Sequence, residues 1–114
     1  MILVVFRSRI RMELIDEIVA MDAEMKELVQ AMPGFIDYKE YAAEDGEILN
    51  IAMFQDGASL QAWRDHPRHR EAMAMGYDRW MSSYDIAVCD VNRRYTREDR
   101  ADAMARGQLP GMDL

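Results

Sequence analysis

An α+β fold with the element order β-α-β-β-α-β is predicted from three observations on these 114 residues. A short β-branched run, Ile2 to Arg7, opens the chain and is bounded by charge, as a buried strand is. A long stretch of apolar residues spaced by fours and threes follows it. Two further apolar runs then flank Asp45-Gly46, a dipeptide that favours a tight antiparallel hairpin.

The long stretch places Leu14, Ile18, Met21, Met25, Leu28 and Met32 on one face, widened by Ile15, Val19 and Val29. Glu13, Asp16, Glu17, Asp22, Glu24, Lys26 and Glu27 take the other faces, which predicts one amphipathic helix of about five turns. Pro33-Gly34 ends it. Phe35 to Tyr41 and Glu47 to Phe54 are the hairpin strands, joined by Glu44-Asp45-Gly46. Asp56 is placed to cap a short helix through Arg64, with Leu60 and Trp63 facing inward. Pro67 interrupts that helix and suits the first turn of a new one, which His66 or Asp65 would cap. This second piece runs from Pro67 to Trp80 and sets His69, Met73, Gly76 and Trp80 on a shared face. Tyr84 to Tyr95 closes the domain as a long strand. The order is that of the split βαβ, or ferredoxin-like, arrangement: four antiparallel strands with both helices on one face. Residues 1–95 form this unit, and 96–114 are read as a charged arm or a frayed tail.

One such core is all the length allows. Half of the residues are hydrophobic, enough for a packed interior. The formal charge is −7, with 11 basic against 17 acidic residues within 1–95. A polyanion partner needs a basic footprint, so neither nucleic acid nor an anionic membrane surface is expected. The lone Cys89 predicts no intrachain disulfide and a reducing, cytoplasmic setting. The opening apolar run breaks at Arg7, too early for a signal peptide or a membrane helix. The strands 2–6 and 48–54 are apolar at nearly every position, so both sheet faces want cover. Helices serve one face, and a second copy of the chain is the simplest cover for the other.

Four stretches carry a resemblance to a known family. Met32-Pro33-Gly34-Phe35 resembles the helix-to-strand junction of the antibiotic-biosynthesis-monooxygenase domain. Ser59-Leu60-Gln61-Ala62-Trp63-Arg64-Asp65-His66-Pro67-Arg68-His69 resembles its second-helix signature, as does Gly76-Tyr77-Asp78-Arg79-Trp80. A strand ending Val91-Asn92-Arg93-Arg94-Tyr95 completes the likeness, and Phe54 stands where many members carry Trp. The resemblance implies a dimeric α+β barrel with a pocket between each sheet and its helices. It also implies relatives that oxidise polycyclic phenols without metal or flavin, quinol oxidases, haem-degrading enzymes, and members without demonstrated activity.

Among individual residues, Trp63 has two compatible roles: an indole anchoring its short helix, or a pocket wall that stacks on a planar ligand and donates one hydrogen bond. His69, on an apolar stripe, is either a satisfied core group or a general base, donor or haem ligand. Tyr38, Asn50 and Arg7 lie on strands that otherwise read as buried, so each must be paired or face a cavity. Asn50 interrupts the alternation Ile48, Ala52, Phe54. Met73, Met75 and Met81 are thioethers near the expected pocket mouth, and Tyr77 and Trp80 join Tyr38 and Met73 as expected substrate contacts. Arg93 and Arg94, ending the last strand, read as interface or surface ion-pair residues. Zinc spacing, a Gly-rich phosphate loop and a Gly-flanked serine are all missing, so no metal and no cofactor are expected.

These residues lead to an oxygenase without bound cofactor, acting on a small electron-rich aromatic such as a quinol or polyphenol. His69 would be its base, Trp63 a wall and donor, and Asn50 or Tyr38 a second donor. The alternative is a homodimeric ligand-binding or stress-response module with no turnover. Haem degradation is a third reading. The resemblance pairs that activity with an Asn on the first strand and a His ten residues after the Trp. Here the first strand has no Asn and the second position is Met73, leaving only a shifted ligation by His69.

Overall fold

The computed structural model describes residues 1–99. Its elements are β1 (Ile2–Ile10), a 3-10 turn (Met12–Leu14), α1 (Ile15–Gln30), β2 (Phe35–Ala42), β3 (Ile48–Phe54), α2 (Gly57–Asp65), α3 (Pro67–Met75), a π turn (Gly76–Trp80) and β4 (Met81–Asp90). The strands form one antiparallel sheet in the order β2-β3-β1-β4. This is the expected ferredoxin-like α+β arrangement. Most of the segment read as an arm, residues 100–114, lies outside the described residues.

Local chemistry accounts for the junctions. Gly34 leaves α1 with φ +82°, and a side chain there would collide with Ser59. Glycine therefore meets two demands at once, a left-handed turn and a close approach of α2. Asp56 caps α2, accepting from the Ser59 amide at 2.8 Å and its hydroxyl at 2.7 Å. These bonds hold the Asp56 carboxyl below its ordinary pKa. Of the two caps considered for α3, His66 takes the role: its Nδ1 accepts from the Arg68 amide at 3.1 Å, and Pro67 starts the helix.

Three boundaries differ from expectation. β1 continues to Ile10 instead of ending at Arg7, because Arg7 and Arg9 point away from the helices and pair with Glu47 (2.9 Å) and Asp45 (2.7 Å). β4 starts at Met81 and ends at Asp90, where β1 runs out of residues to pair; Val91 donates one last bond to the Met1 carbonyl. Arg93 and Arg94 thus lie beyond the strand. The second helical piece does not reach Trp80 as one α-helix. It widens into the π turn at Gly76, which breaks the helical period on which the predicted face of His69, Met73, Gly76 and Trp80 relied.

The register assigns the two sheet faces. Ile2 and Phe54, Val4 and Ala52, Phe6 and Asn50, and Ser8 and Ile48 are paired across β1 and β3. Ile2, Val4, Ala52 and Phe54 pack with the helices, so this entire set looks toward them. Phe54 is 1% exposed and lies with Trp63, Leu60 and Val29 at the centre of the core, with Met25, Leu28, Met32 and Phe35 around them. Val19, expected on the buried stripe of α1, is exposed. The opposite face carries Leu3, Val5, Leu49, Ile51 and Met53, half-buried among themselves and uncovered by any helix among the described residues.

Candidate functional site

Asn50 is the first feature that the core does not explain. It lies on the helix side of β3, directly between Phe6 on β1 and Glu40 on β2. Its Oδ1 is buried and has no hydrogen-bond partner among the described residues. An unpaired buried amide oxygen costs about 1–3 kcal/mol, which marks Asn50 as a candidate position for a donor from outside the fold.

On the β4 flank of Asn50 the surface is apolar and open. Phe6 faces Ile86 across the strand pair, and its ring meets Tyr84 edge-on at 6.2 Å. Tyr84 in turn meets Tyr77 of the π turn edge-on at 6.3 Å. Tyr84, Ile86 and Val88 share the helix side of β4, yet among the described residues remain 48%, 51% and 55% exposed. Tyr77 is 71% exposed above them.

On the β2 flank polar side chains are mixed with apolar ones. A groove of about 430 Å³ runs between α1 and β2, lined by Lys26, Val29, Gln30, Phe35, Tyr38 and Glu40. The Tyr38 hydroxyl donates to Glu40 at 3.3 Å, and the Lys26 ammonium sits 5.7 Å from the Tyr38 ring. Lys26 also pairs with Asp22 at 2.7 Å. Burial, reinforced by the nearby Asp22 and Glu40 charges, pushes the Tyr38 phenol well above its ordinary pKa. It stays a neutral donor and is not a base at neutral pH.

Trp63 and His69 come together, but at the core end. Trp63 is 7% exposed and packs on Phe54, Val29 and Leu60. The His69 ring stacks on the indole at 4.3 Å with 17° between the planes, while His66 lies on it at 5.6 Å and 49°. His69 Nδ1 is 3.0 Å from the Trp63 carbonyl. Burial holds the His69 pKa below the ordinary value, with smaller contributions from His66 and Arg64 and an opposing one from the Trp63 bond. No hydrogen bond or ring contact among the described residues joins this pair to Asn50.

The remaining sequence-predicted contacts scatter. Met73 is exposed on α3, which has no buried residue of its own. Trp80 is buried with an Nε1 that makes no well-formed hydrogen bond among the described residues, and the Glu17 carboxylate lies near it. Two guanidinium–carboxylate pairs fasten the α3 region to α1: Arg68 to Glu24 (2.9 Å) and Arg79 to Glu17 (2.8 Å). Each pair lowers the pKa of its carboxyl, chiefly through the arginine hydrogen bond. Asp16-Glu17 therefore lies on a helix face that is solvated but not idle. No cluster of three or more potential metal ligands occurs among the described residues, nor does any helix long and apolar enough to cross a membrane.

Phe6, Tyr84, Ile86 and Glu40 were not singled out in the sequence. Only the cross-strand register places them around Asn50, and the one available clue was the Tyr84-Asp85-Ile86-Ala87-Val88 alternation of the last strand.

Comparison with known proteins agrees with this architecture. The chain is similar in structure to Rv0793 from Mycobacterium tuberculosis, with a TM-score of 0.74 and 18% identity over 83% of this chain and 98% of that one. A conserved protein from Methanosarcina mazei Go1 matches with a TM-score of 0.69 and 18% identity, over 77% and 89% of the two chains. SnoaB, a cofactor-independent oxygenase from Streptomyces nogalater solved as an asparagine-to-alanine mutant, matches with a TM-score of 0.67 and 16% identity, over 82% and 94%. At these identities the likeness is one of fold. No curated protein matches the sequence significantly. The sequence profile of the antibiotic biosynthesis monooxygenase domain matches residues 1–75, about two thirds of the chain, and the protein belongs to that family.

Proposed function

We propose that this protein is a cofactor-independent monooxygenase that oxidises an electron-rich aromatic, of quinol or polyphenol type, on the helix side of its sheet. The observation that carries the reading is the buried, unpartnered Oδ1 of Asn50 beside Phe6, in a chain of this family. A fold by itself licenses no reaction, so the weight rests on that site.

Its chemistry suits a phenol. The Asn50 carboxamide offers an acceptor to a neutral hydroxyl and, through Nδ2, a donor to the phenolate formed from it. Phe6, Tyr84 and Ile86 supply an apolar floor for the ring, and Tyr77 a flank. Dioxygen reacts slowly with closed-shell organics because of its triplet state, and a phenolate is electron-rich enough to supply the first electron. The overall change is balanced as phenol plus dioxygen giving quinone plus water, with one oxygen atom entering the ring carbon and the other leaving as water. His69 is our candidate for the base, with Tyr38 a neutral second donor from the polar flank. We further propose that the chain works as a homodimer in the reducing cytoplasm. The uncovered sheet face with Leu3, Val5, Leu49, Ile51 and Met53 would be its interface and Cys89 its unpaired thiol.

An oxygen electrode tests the activity. Purified protein should take up dioxygen with members of a quinol and naphthol panel faster than autoxidation, and Asn50→Ala should lose most of that rate. Flat traces across the panel from an intact dimer would instead favour a ligand-binding module without turnover. Light scattering tests the dimer, with about twice the 13.3 kDa chain mass expected.

A further inference from the structure

Two imidazoles at the turn between α2 and α3 lie against one indole. The His66 ring is 5.6 Å from Trp63 and the His69 ring is stacked on it at 4.3 Å. His66 Nδ1 accepts from the Arg68 amide at 3.1 Å and so caps α3. Only an unprotonated Nδ1 can accept, so this cap exists only while the ring is neutral with its proton on Nε2. Protonation sets a donor against a donor. It also puts a positive charge at a helix N-terminus, where the helix dipole disfavours it.

Little else fastens α3. The helix has no buried residue of its own, and the Arg68–Glu24 pair ties its first turn to α1. The charged groups of this region offer a new proton no partner. Arg64 and Arg68 are cations. Asp65 already accepts from Gln61, and Glu24 and Glu71 accept from Arg68. Among the described residues, neither imidazole takes part in an ion pair. His69 resists charge as well: burial chiefly, opposed by the Trp63 carbonyl and aided by His66 and Arg64, holds its pKa below the ordinary value.

We propose that the α2–α3 turn is an acid-sensitive latch, in which protonation of His66 removes the cap of α3 and releases that helix while α1 and the sheet stay folded. The π turn follows α3 directly, so release also frees Tyr77 from Tyr84, which it meets at 6.3 Å. The latch does not depend on which reaction the protein performs. Its sign follows from the acceptor: α3 is intact above the imidazole titration range and loosened below it.

Asparagine at position 66 separates the cap from its titration, because its side-chain oxygen accepts at every pH. Nitrogen-15 spectra of the wild-type protein at about pH 7.5 should show His66 unprotonated at Nδ1 and protonated at Nε2. The opposite tautomer would overturn the proposal. Carbon-13 shifts of the α carbons then read helix content residue by residue. On going from about pH 7.5 to about pH 5, the helical shifts of α3 should fall by about half or more and recover on return, with those of α1 unmoved. His66→Asn should hold α3 at both values, and His66→Ala should show the lowered shifts at both. An α3 unchanged in acid, an asparagine variant that responds as the wild type does, or an alanine variant fully helical at both values each removes the latch. So does loss of the α1 signals together with those of α3, since the transition would then be global. Should the alanine variant fail to fold, the wild type and His66→Asn still decide the matter.

Discussion

The core end of the helix-side sheet face and its β4 edge are built from similar residues and end in opposite states. At the core end Phe54 and Trp63 are 1% and 7% exposed, closed over by α1 and α2. At the β4 edge Tyr84, Ile86 and Val88 are about half exposed, although they alternate along the strand as cleanly as any buried set. The difference is not hydrophobicity but how far the described helices reach over the sheet. Asn50 lies between these regions, where cover gives way to open surface. Its buried amide oxygen is left without a partner among the described residues where cover gives way.

The largest effect expected from this contrast is on stability. Phe54→Ala should cost about 3–5 kcal/mol in urea denaturation, since a fully buried ring leaves a cavity. Val88→Ala should cost less than about 1 kcal/mol, since its site is half solvated already. Equal losses at the two sites would mean that the β4 edge is covered in solution.

Asn50 sharpens the boundary. Asn50→Leu removes a buried acceptor without a partner and fills its space with an apolar group, so stability should rise by about 1 kcal/mol. Naphthol binding should be lost in the same variant. A clear fall in stability would show that the carboxamide is already satisfied, and the pocket reading would go with it.

A smaller effect concerns pH and the core end alone. The folded-state pKa of His69 is below the ordinary value of 6.5, so the unfolded chain binds this proton more readily. Its contribution is therefore fully present above about pH 6.5 and is lost as pH falls towards the folded pKa. The slope cannot exceed about 1.36 kcal/mol per pH unit for one proton. His69→Asn should flatten this part of the profile, as measured by denaturation from pH 7 downward. An unchanged slope would place the proton uptake elsewhere.

The smallest effect is expected at the Arg79–Glu17 pair. Both side chains are about half exposed, so Arg79→Gln should leave the melting temperature unresolved from wild type at physiological salt.

The fold was legible because each element announces itself locally. The spacing from Leu14 to Met32, the Asp45-Gly46 turn and the Pro67 interruption each fix a period or a break whatever the rest of the chain does. Asn50 was legible for a similar reason, as one polar residue in an apolar alternation. The ends of β1 and β4 were not, because a strand stops where its partner stops: Asp90 is last in β4 since Ile2 is first in β1. Arg7 was a misleading stop signal, since its charge points to the uncovered face and pairs with Glu47, forty residues away.

By itself the sequence determined the order of elements, the single core, the absence of a basic footprint and the candidate status of Asn50, Trp63 and His69. Those follow from periodicity, composition and side-chain chemistry, which are properties of neighbours along the chain. Only the tertiary structure decided that Trp63 belongs to the core, that its carbonyl lies against Nδ1 of His69, and that Phe6, Ile86 and Glu40 surround Asn50. These are relations between residues brought together by strand register and helix docking. A shift of one residue in that register would turn Asn50 to the opposite face, and its immediate sequence would look the same.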